Sequence, residues 1–318
     1  MAFNMADRPT RIRRLFWAGV MALIAFYVIL VAVLTVVHYP KDTDRSYNPK
    51  ASSGSSGFYE AAYSVKNKNR GIDYEAFARS AAERFHITEM ITGLVRRHKL
   101  SNSRVLEVGS GRGYLQDVVP DYTGLDLSST VANHYHKPFV VGSATAMPFA
   151  ESSYDAIWSV WVLEHIPEPE KALSEMRRVL KPGGVLILFP AWDCTPWAAD
   201  GFDVRAYSDF NVVGKLVKAA VSFYPDYESA LRGPVRAGRW VQYATGDRTL
   251  RYRRLRPNYD VYWQADSDAA VSLDRFETLL WFQHHGDTCL NCGSVMDEFR
   301  RGDSPLVIRI GKQGERAL

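Results

Sequence analysis

Cysteine is scarce in this chain: 3 residues in 318. So few cannot build a disulfide framework. Neither sign of charge is in large excess. The 39 basic residues against 35 acidic ones leave a formal charge of +4, too little to imply nucleic acid by itself. No internal repeat is visible, so a solenoid or propeller is not indicated. Hydrophobic residues make up 47% and charged residues 23%, which excludes collagen-like, coiled-coil and wholly disordered chains. The length allows one large domain or two small ones.

One further absence is local. No charged residue occurs from Leu15 to Pro40. As a helix this run would reach about 39 Å, more than the roughly 30 Å hydrocarbon core. Trp17 and Tyr39 lie near its ends, where interfacial aromatics collect. A cleaved signal peptide has a shorter apolar core, about 7–15 residues. Residues 15–40 therefore read as an uncleaved, single-pass membrane anchor behind a basic segment, 1–14. Arg8, Arg11, Arg13 and Arg14 precede the span, and Lys41, Arg45 and Lys50 follow it. That balance leans weakly toward a cytoplasmic N-terminus. Residues 41–57 are polar and rich in Ser and Gly, as a flexible tether is. Residues 58–318 read as one folded unit.

Within that unit, Tyr74–Leu100 predicts a long helix with Phe77, Ala81, Phe85, Met90, Ile91, Leu94 and Val95 on one rough face. A short buried strand, Arg104–Val108, runs directly into Gly109-Ser110-Gly111-Arg112-Gly113. A glycine-rich turn between strand and helix lets a ligand approach the backbone and points N–H groups at it. The dinucleotide pattern G-x-G-x-x-G needs glycine where Tyr114 stands, so that pattern fails. A second strand, Tyr122–Asp126, ends in an acid. A carboxylate there can accept from both ribose hydroxyls of a nucleoside; the alternative is that Asp126 caps the helix near Ser128. Further strands are predicted at Pro138–Gly142, Tyr154–Val160 and Val185–Phe189, with a helix at Pro169–Leu180. Apolar strands alternating with helices give a parallel sheet covered on both faces.

The ordered series VLEVGSGRGYL, GLDLS, AMPFAESSYDAIWS, VLEHI and LKPGGVLIL resembles the class I S-adenosylmethionine-dependent methyltransferase superfamily, in its small-molecule branch. The close resemblance covers about Arg104–Pro190. It implies an α/β, Rossmann-like seven-stranded sheet with helices on both faces and an antiparallel last strand, in addition to the N-terminal transmembrane helix. It implies S-adenosylmethionine as cofactor. Gly109, Gly111 and Gly113 would surround the methionine part, Glu107 would organise the loop, and Asp126 would hold the ribose. Ser143 stands where many relatives carry Asp, and it and the Ala144 backbone would serve the adenine. Met147 would pack on the adenine or in the core. Ser159 and Trp161 would line the pocket. His165 is the candidate general base, or else a positioning histidine.

The cofactor half spans about 100–190, and about 191–257 reads as a substrate-side cap, too long for a simple connection. Trp192, Asp193 and Trp197 lie in a loop at the carboxyl end of the fifth strand, where loops line pockets; they are candidate substrate contacts, with ordinary loop packing the alternative, and Trp161, Trp192 and Asp193 are taken as substrate-binding. A helix is expected at Lys215–Tyr224. Arg248–Arg256 carries five arginines in RTLRYRRLR. A solvated face is the default, and contact of Arg251, Arg253 and Arg254 with anionic headgroups is the alternative; nucleic acid is not expected. Tyr259–Trp263 and Leu306–Ile310 are candidates for the sixth and seventh strands, and Asp274–Phe282 for a helix. Asp266, Ser267 and Asp268 suggest a turn or cap. His284, His285, Cys289 and Cys292 offer metal-like spacing, but the single cysteine pair favours plain packing, and no metal is expected. Cys194 is expected to be unpaired and reduced.

Two functions stay open at this point. One is a membrane-anchored methyltransferase acting on a small-molecule or lipid-linked acceptor, with its catalytic domain in the cytosol, where the cofactor is made. The other is a non-catalytic interaction module that kept the fold.

Overall fold

The computed structural model describes residues 8–38, 57–60, 63, 74–202, 204–221, 224–258, 265–302 and 304–311. The tether at 41–56 and the sixth-strand candidate at 259–263 lie outside the described residues.

The first element is a single helix, α1, Arg8–His38. Its stretch Arg11–Ile29 is long and apolar enough to cross a membrane, and that stretch is not buried against the rest of the chain. Length and composition alone do not decide between a span and a leader segment.

The sheet has seven strands in the order β3-β2-β1-β4-β5-β9-β8. They are β1 Val105–Val108, β2 Tyr122–Asp126, β3 Phe139–Val141, β4 Tyr154–Val160, β5 Leu180–Phe189, β8 Thr288–Cys289 and β9 Leu306–Arg309. The first five pair in parallel. Strand β9 runs antiparallel between β5 and β8. A separate ribbon joins β6, Tyr252–Arg254, to β7, Val271–Leu273.

Alternation along the strands makes two cores, one on each face of the sheet. Leu106, Val108 and Ile157 point to one face and meet helix α4, Pro169–Val179, through Ala172, Leu173 and Met176. Val105, Ala156, Trp158 and Ile187 point to the other and meet helix α3, Ile87–Arg97. Helix α3 presents Ile87, Ile91, Leu94 and Val95, spaced as one helical face. Pro169 begins α4, where the missing N–H costs no helix bond.

The long first helix expected at Tyr74–Leu100 is two helices, α2 at Tyr74–Arg84 and α3. His86 between them adopts φ 49°, outside helical geometry. The break frees α2 to lie over the site. The sixth strand of the sheet is β8, in the stretch read from sequence as a cysteine–histidine cluster. Cys289 and Cys292 form a disulfide, which corrects the expectation of plain packing. Cys194 is free and buried, as expected.

The cap holds α5, Val212–Val221, and a 21-residue helix α6, Tyr224–Ala244. The last helices are α7, Arg275–His284, and α8, Val295–Arg300. Asp274 starts α7 as its N-cap, accepting from the Glu277 N–H at 3.0 Å. Residues 265–268 form a turn, as expected.

Candidate active site

The carboxyl ends of β1, β2 and β4 open onto a cavity of about 390 Å³. Gly109, Asp126, Ser143, Ala144, Trp161 and His165 line it. This is where parallel α/β sheets bind ligands.

The glycine turn is forced by its surroundings. Gly109 has φ 72°, and a Cβ there would sit 2.2 Å from a Val162 methyl. A side chain at Gly113, φ 71°, would meet the Tyr135 ring at 2.8 Å. The turn is held from across the sheet end. Asp126 Oδ2 accepts from the Gly111 N–H at 2.8 Å, and Oδ1 accepts from the Ser128 N–H at 2.9 Å. Each carboxylate oxygen keeps a second acceptor site, which suits a pair of hydroxyls. Burial pushes the Asp126 carboxyl up, while the backbone N–H groups oppose that. Asp126 faces the cavity and holds the turn at Ser128, but it is not the helix cap: Ser128 is, its side chain accepting from the Thr130 N–H.

Glu107 does not touch the loop backbone as expected. It is buried and accepts from the Tyr122 hydroxyl on the neighbouring strand. Burial raises its carboxyl to about 8 against the pull of that bond. Glu107 thus ties β1 to β2 beneath the turn. Gly111 and Gly113 shape the turn and are not among the cavity-lining residues. Ser159 lines no cavity either. Its hydroxyl donates to the Val108 carbonyl at 3.0 Å, joining β4 to β1. Met147 is in the core, not at the cavity.

A second cavity of about 330 Å³ adjoins the first. Trp161 and His165 line both. Its other walls include Phe77, Ala81, Phe85, Phe189 and Trp192. Phe77 and Phe85, expected on a core-facing helical stripe, instead wall this space from α2 and the turn after it. Trp161 adopts φ 53°, an uncommon backbone for a bulky residue. Its N–H donates to the Phe189 carbonyl at 2.8 Å, which fixes the ring at the boundary of the two cavities. Trp192 is a wall residue, as expected, with its indole N–H on the Ser304 carbonyl at 3.1 Å. Asp193 is not. It is buried away from both cavities, and its N–H donates to the Leu273 carbonyl at 2.7 Å.

His165 is surrounded by carboxylates. Its Nδ1 lies 3.3 Å from the Asp268 carbonyl oxygen and 3.6 Å from the Asp268 carboxylate. Its Nε2 lies 3.7 Å from Glu164 Oε1. Burial would lower its pKa, but Asp268 and Glu164 outweigh this and raise it. Glu164 is 1% exposed, and burial raises its carboxyl to about 7 although His165 pulls it down.

No sequence motif marks the segment that covers the first cavity. Tyr59 and Tyr63 line it, just after the Ser- and Gly-rich stretch. The Tyr59 hydroxyl donates to Asp268 at 2.8 Å, and its ring meets that of His165 edge to face. Glu60 Oε1 accepts from the Ser129 N–H at 2.7 Å, beside the end of β2. The only available signal was their nearness to the start of the folded unit.

The arginines of the ribbon are not a bare cationic face. Arg251 is paired with Asp247. Arg254 is exposed on β6.

Residues 106–188 match the methyltransferase domain family. Over 95 residues the chain is 40% identical to a demethylmenaquinone methyltransferase of Renibacterium salmoninarum, covering 27% of this chain and 40% of that one. Over 138 residues it is 33% identical to a phthiotriol/phenolphthiotriol dimycocerosates methyltransferase of Mycobacterium ulcerans, covering 38% and 51%. Over 127 residues it is 32% identical to a sterol 24-C-methyltransferase of Schizosaccharomyces pombe, covering 35% and 32%. The chain thus spans about half, or less, of the length of these relatives.

Proposed function

Residues 106–188 belong to the class I S-adenosylmethionine-dependent methyltransferases, and from that premise we propose that the whole chain transfers a methyl group to an apolar small-molecule or lipid-linked acceptor at a membrane. The observation that carries the proposal is the pair of adjoining cavities. One is floored by the Gly109 turn and Asp126; the other is walled by aromatic side chains; Trp161 and His165 stand between them.

S-adenosylmethionine fits the first cavity by the chemistry of its donors. Asp126 would hold the ribose hydroxyls, Ser143 and the Ala144 backbone the adenine, and Gly109 would allow the methionine portion to approach the main chain. When bound, the cofactor supplies an already activated methyl group. What the protein adds is alignment and exclusion of water. Trp161, fixed by its backbone bond, would position the acceptor, and Tyr59 and Tyr63 would close the other side. His165, with both ring nitrogens facing carboxylates, suits positioning better than proton abstraction.

Apolar acceptors fit the second cavity, and the three relatives are named for a quinone, a lipid and a sterol substrate. Helix α1 would anchor the enzyme. Helix α5 adds an exposed apolar face, Val212, Val213 and Leu216, with Lys215 beside it. Such a face suits an interfacial helix. Arg254 could reach anionic headgroups from the ribbon.

The cofactor's origin favours a cytosolic catalytic domain. The arginines in the first two turns of α1, ahead of its apolar run, and the Cys289–Cys292 disulfide favour the opposite side. Protection of the domain from protease in intact cells, and its digestion after lysis, supports the cytosolic side; digestion in intact cells overturns it.

The direct test is calorimetry of the full chain in detergent with S-adenosylhomocysteine. Micromolar binding, weakened by Asp126→Ala, is the expected result. No binding by the folded chain would move the assignment to a non-catalytic module.

A further inference from the structure

Helix α5 is an amphipathic helix turned inside out. Gly214, Lys218 and Val221, spaced as one helical face, lie against the rest of the cap. A Cβ at Gly214 would stand 2.9 Å from the Phe210 ring, which stacks on the Phe202 ring at 4.7 Å. The Lys218 ammonium donates to the Phe202 carbonyl and lies 5.3 Å from the centre of the Tyr207 ring. Val221 is buried. The opposite side carries Val212, Val213, Leu216 and Val217, exposed by 74%, 67%, 67% and 38%. A surface helix of a globular domain does the reverse, turning its apolar stripe inward and its polar face to water.

Three observations favour a bilayer as the cover of this face. A helix of ten residues is about 15 Å long and about 10 Å across, so one face of it falls well short of the roughly 800 Å² per partner of a stable protein interface. The helix sequence, VVGKLVKAAV, holds two lysines and no acid, which suits the negative surface of a membrane. Helix α1, whose stretch Arg11–Ile29 is long and apolar enough to cross a bilayer, lies against α6, the helix that follows α5. The membrane-length helix and the reversed face thus belong to one part of the molecule.

We propose that α5 is a second membrane contact besides α1: Val212, Val213, Leu216 and Val217 enter the bilayer surface, and Lys215 at the edge of that face meets the headgroups. Such a helix lies in the plane of the interface with its apolar face about 5–10 Å into the headgroup–acyl boundary. The α/β fold then rests on the membrane through its cap instead of hanging from α1 alone. The inference rests on the membrane reading for its partner and on no assumption about the methyl acceptor.

The test reconstitutes the full chain into vesicles of phosphatidylcholine and phosphatidylglycerol. Leu216→Cys carries an environment-sensitive fluorophore, and Asn102→Cys, on the exposed turn before β1, carries the same fluorophore as a control. Cys194 is buried and Cys289 is joined to Cys292, so none of them competes for the label. The label at 216 is expected to shift to the blue, and lipids with a nitroxide in the acyl chain should quench it about threefold or more relative to the label at 102. Val212→Asp together with Val213→Asp is expected to return the label at 216 to water, with an unchanged unfolding midpoint as the check that the variant is folded. Equal quenching at 216 and 102 overturns the inference, as does undiminished quenching in the double variant. A label at 216 shielded from iodide but untouched by the nitroxide lipids also overturns it and assigns the face to a second copy of the chain. Alkaline carbonate washing of the same vesicles separates the two readings. Protein that stays with the vesicles while its label at 216 is in water keeps the α1 anchor and loses the α5 inference; protein that carbonate releases, after its label at 216 was quenched by the lipids, loses the anchor and keeps the α5 inference.

Discussion

At the scale of single residues, the site is governed by a few groups whose environments leave little freedom. Asp126 bridges the Gly111 and Ser128 N–H groups while facing the cavity. Asp126→Ala should weaken S-adenosylhomocysteine binding roughly ten- to hundredfold, the worth of one or two charge-assisted hydrogen bonds; calorimetry reads this directly. Gly109 combines φ 72° with a Val162 methyl 2.2 Å from any added Cβ. Gly109→Ala should therefore displace Val162, a wall of the same cavity, and cost about five- to 150-fold in affinity if backbone strain of about 1–3 kcal/mol falls on the binding-competent turn.

At the scale of elements, the strands and the helices beside them obey simple periodicity, while the breaks between them follow local geometry. The glycine turn, β4 and α4 stand where their residues placed them. Helix α2 does not continue into α3 because His86 leaves helical geometry, and that turn delivers Phe85 to the second cavity. Nothing in the alternation of apolar residues marks the turn, because an amphipathic stripe continues across it. The C-terminal elements depend on buried charge. Arg275 on α7 is paired with Glu298 on α8, with side chains 0% and 2% exposed. Arg275→Met would leave Glu298 with only Arg301, at 3.2 Å, and the Gly293 N–H, at 2.8 Å, and should cost about 3 kcal/mol, the low end for breaking a buried pair. Denaturant unfolding of the full chain should show this as an earlier midpoint. The Cys289–Cys292 disulfide joins the end of β8 to the turn before α8. Alkylation before reduction should leave both sulfurs unmodified, and mass spectrometry after reduction should find both labelled.

At the scale of the whole molecule, a seven-stranded α/β sheet is joined to a helix whose apolar stretch is unburied. If α1 anchors the chain, the full-length protein should stay with membranes through alkaline carbonate washing. A chain lacking residues 8–38 should be released, or held only loosely through α5 and its exposed Val212, Val213 and Leu216. Release of the full-length protein would sink the anchor reading. On the proposed reading, anchoring would bring the second cavity to the bilayer surface, where an apolar acceptor is concentrated.

The sequence by itself determined the sheet, its parallel core and the cofactor end of the site. Those features rest on contiguous signals: short apolar strands alternating with helices, a glycine-rich turn after the first strand, and an acid at the end of the second. It also marked His165, Trp161 and Trp192 as lining residues. Only the tertiary structure decided how the remaining residues divide between support and site. Glu107 and Ser159 face neighbouring strands, and Asp193 faces β7, because each lies on the side of its element away from the cavities. Glu164, Asp268, Tyr59 and Phe85 meet at or beside the two cavities from distant parts of the chain. No local pattern encodes such a meeting, because it is created by the crossing of separate elements and by the burial that follows.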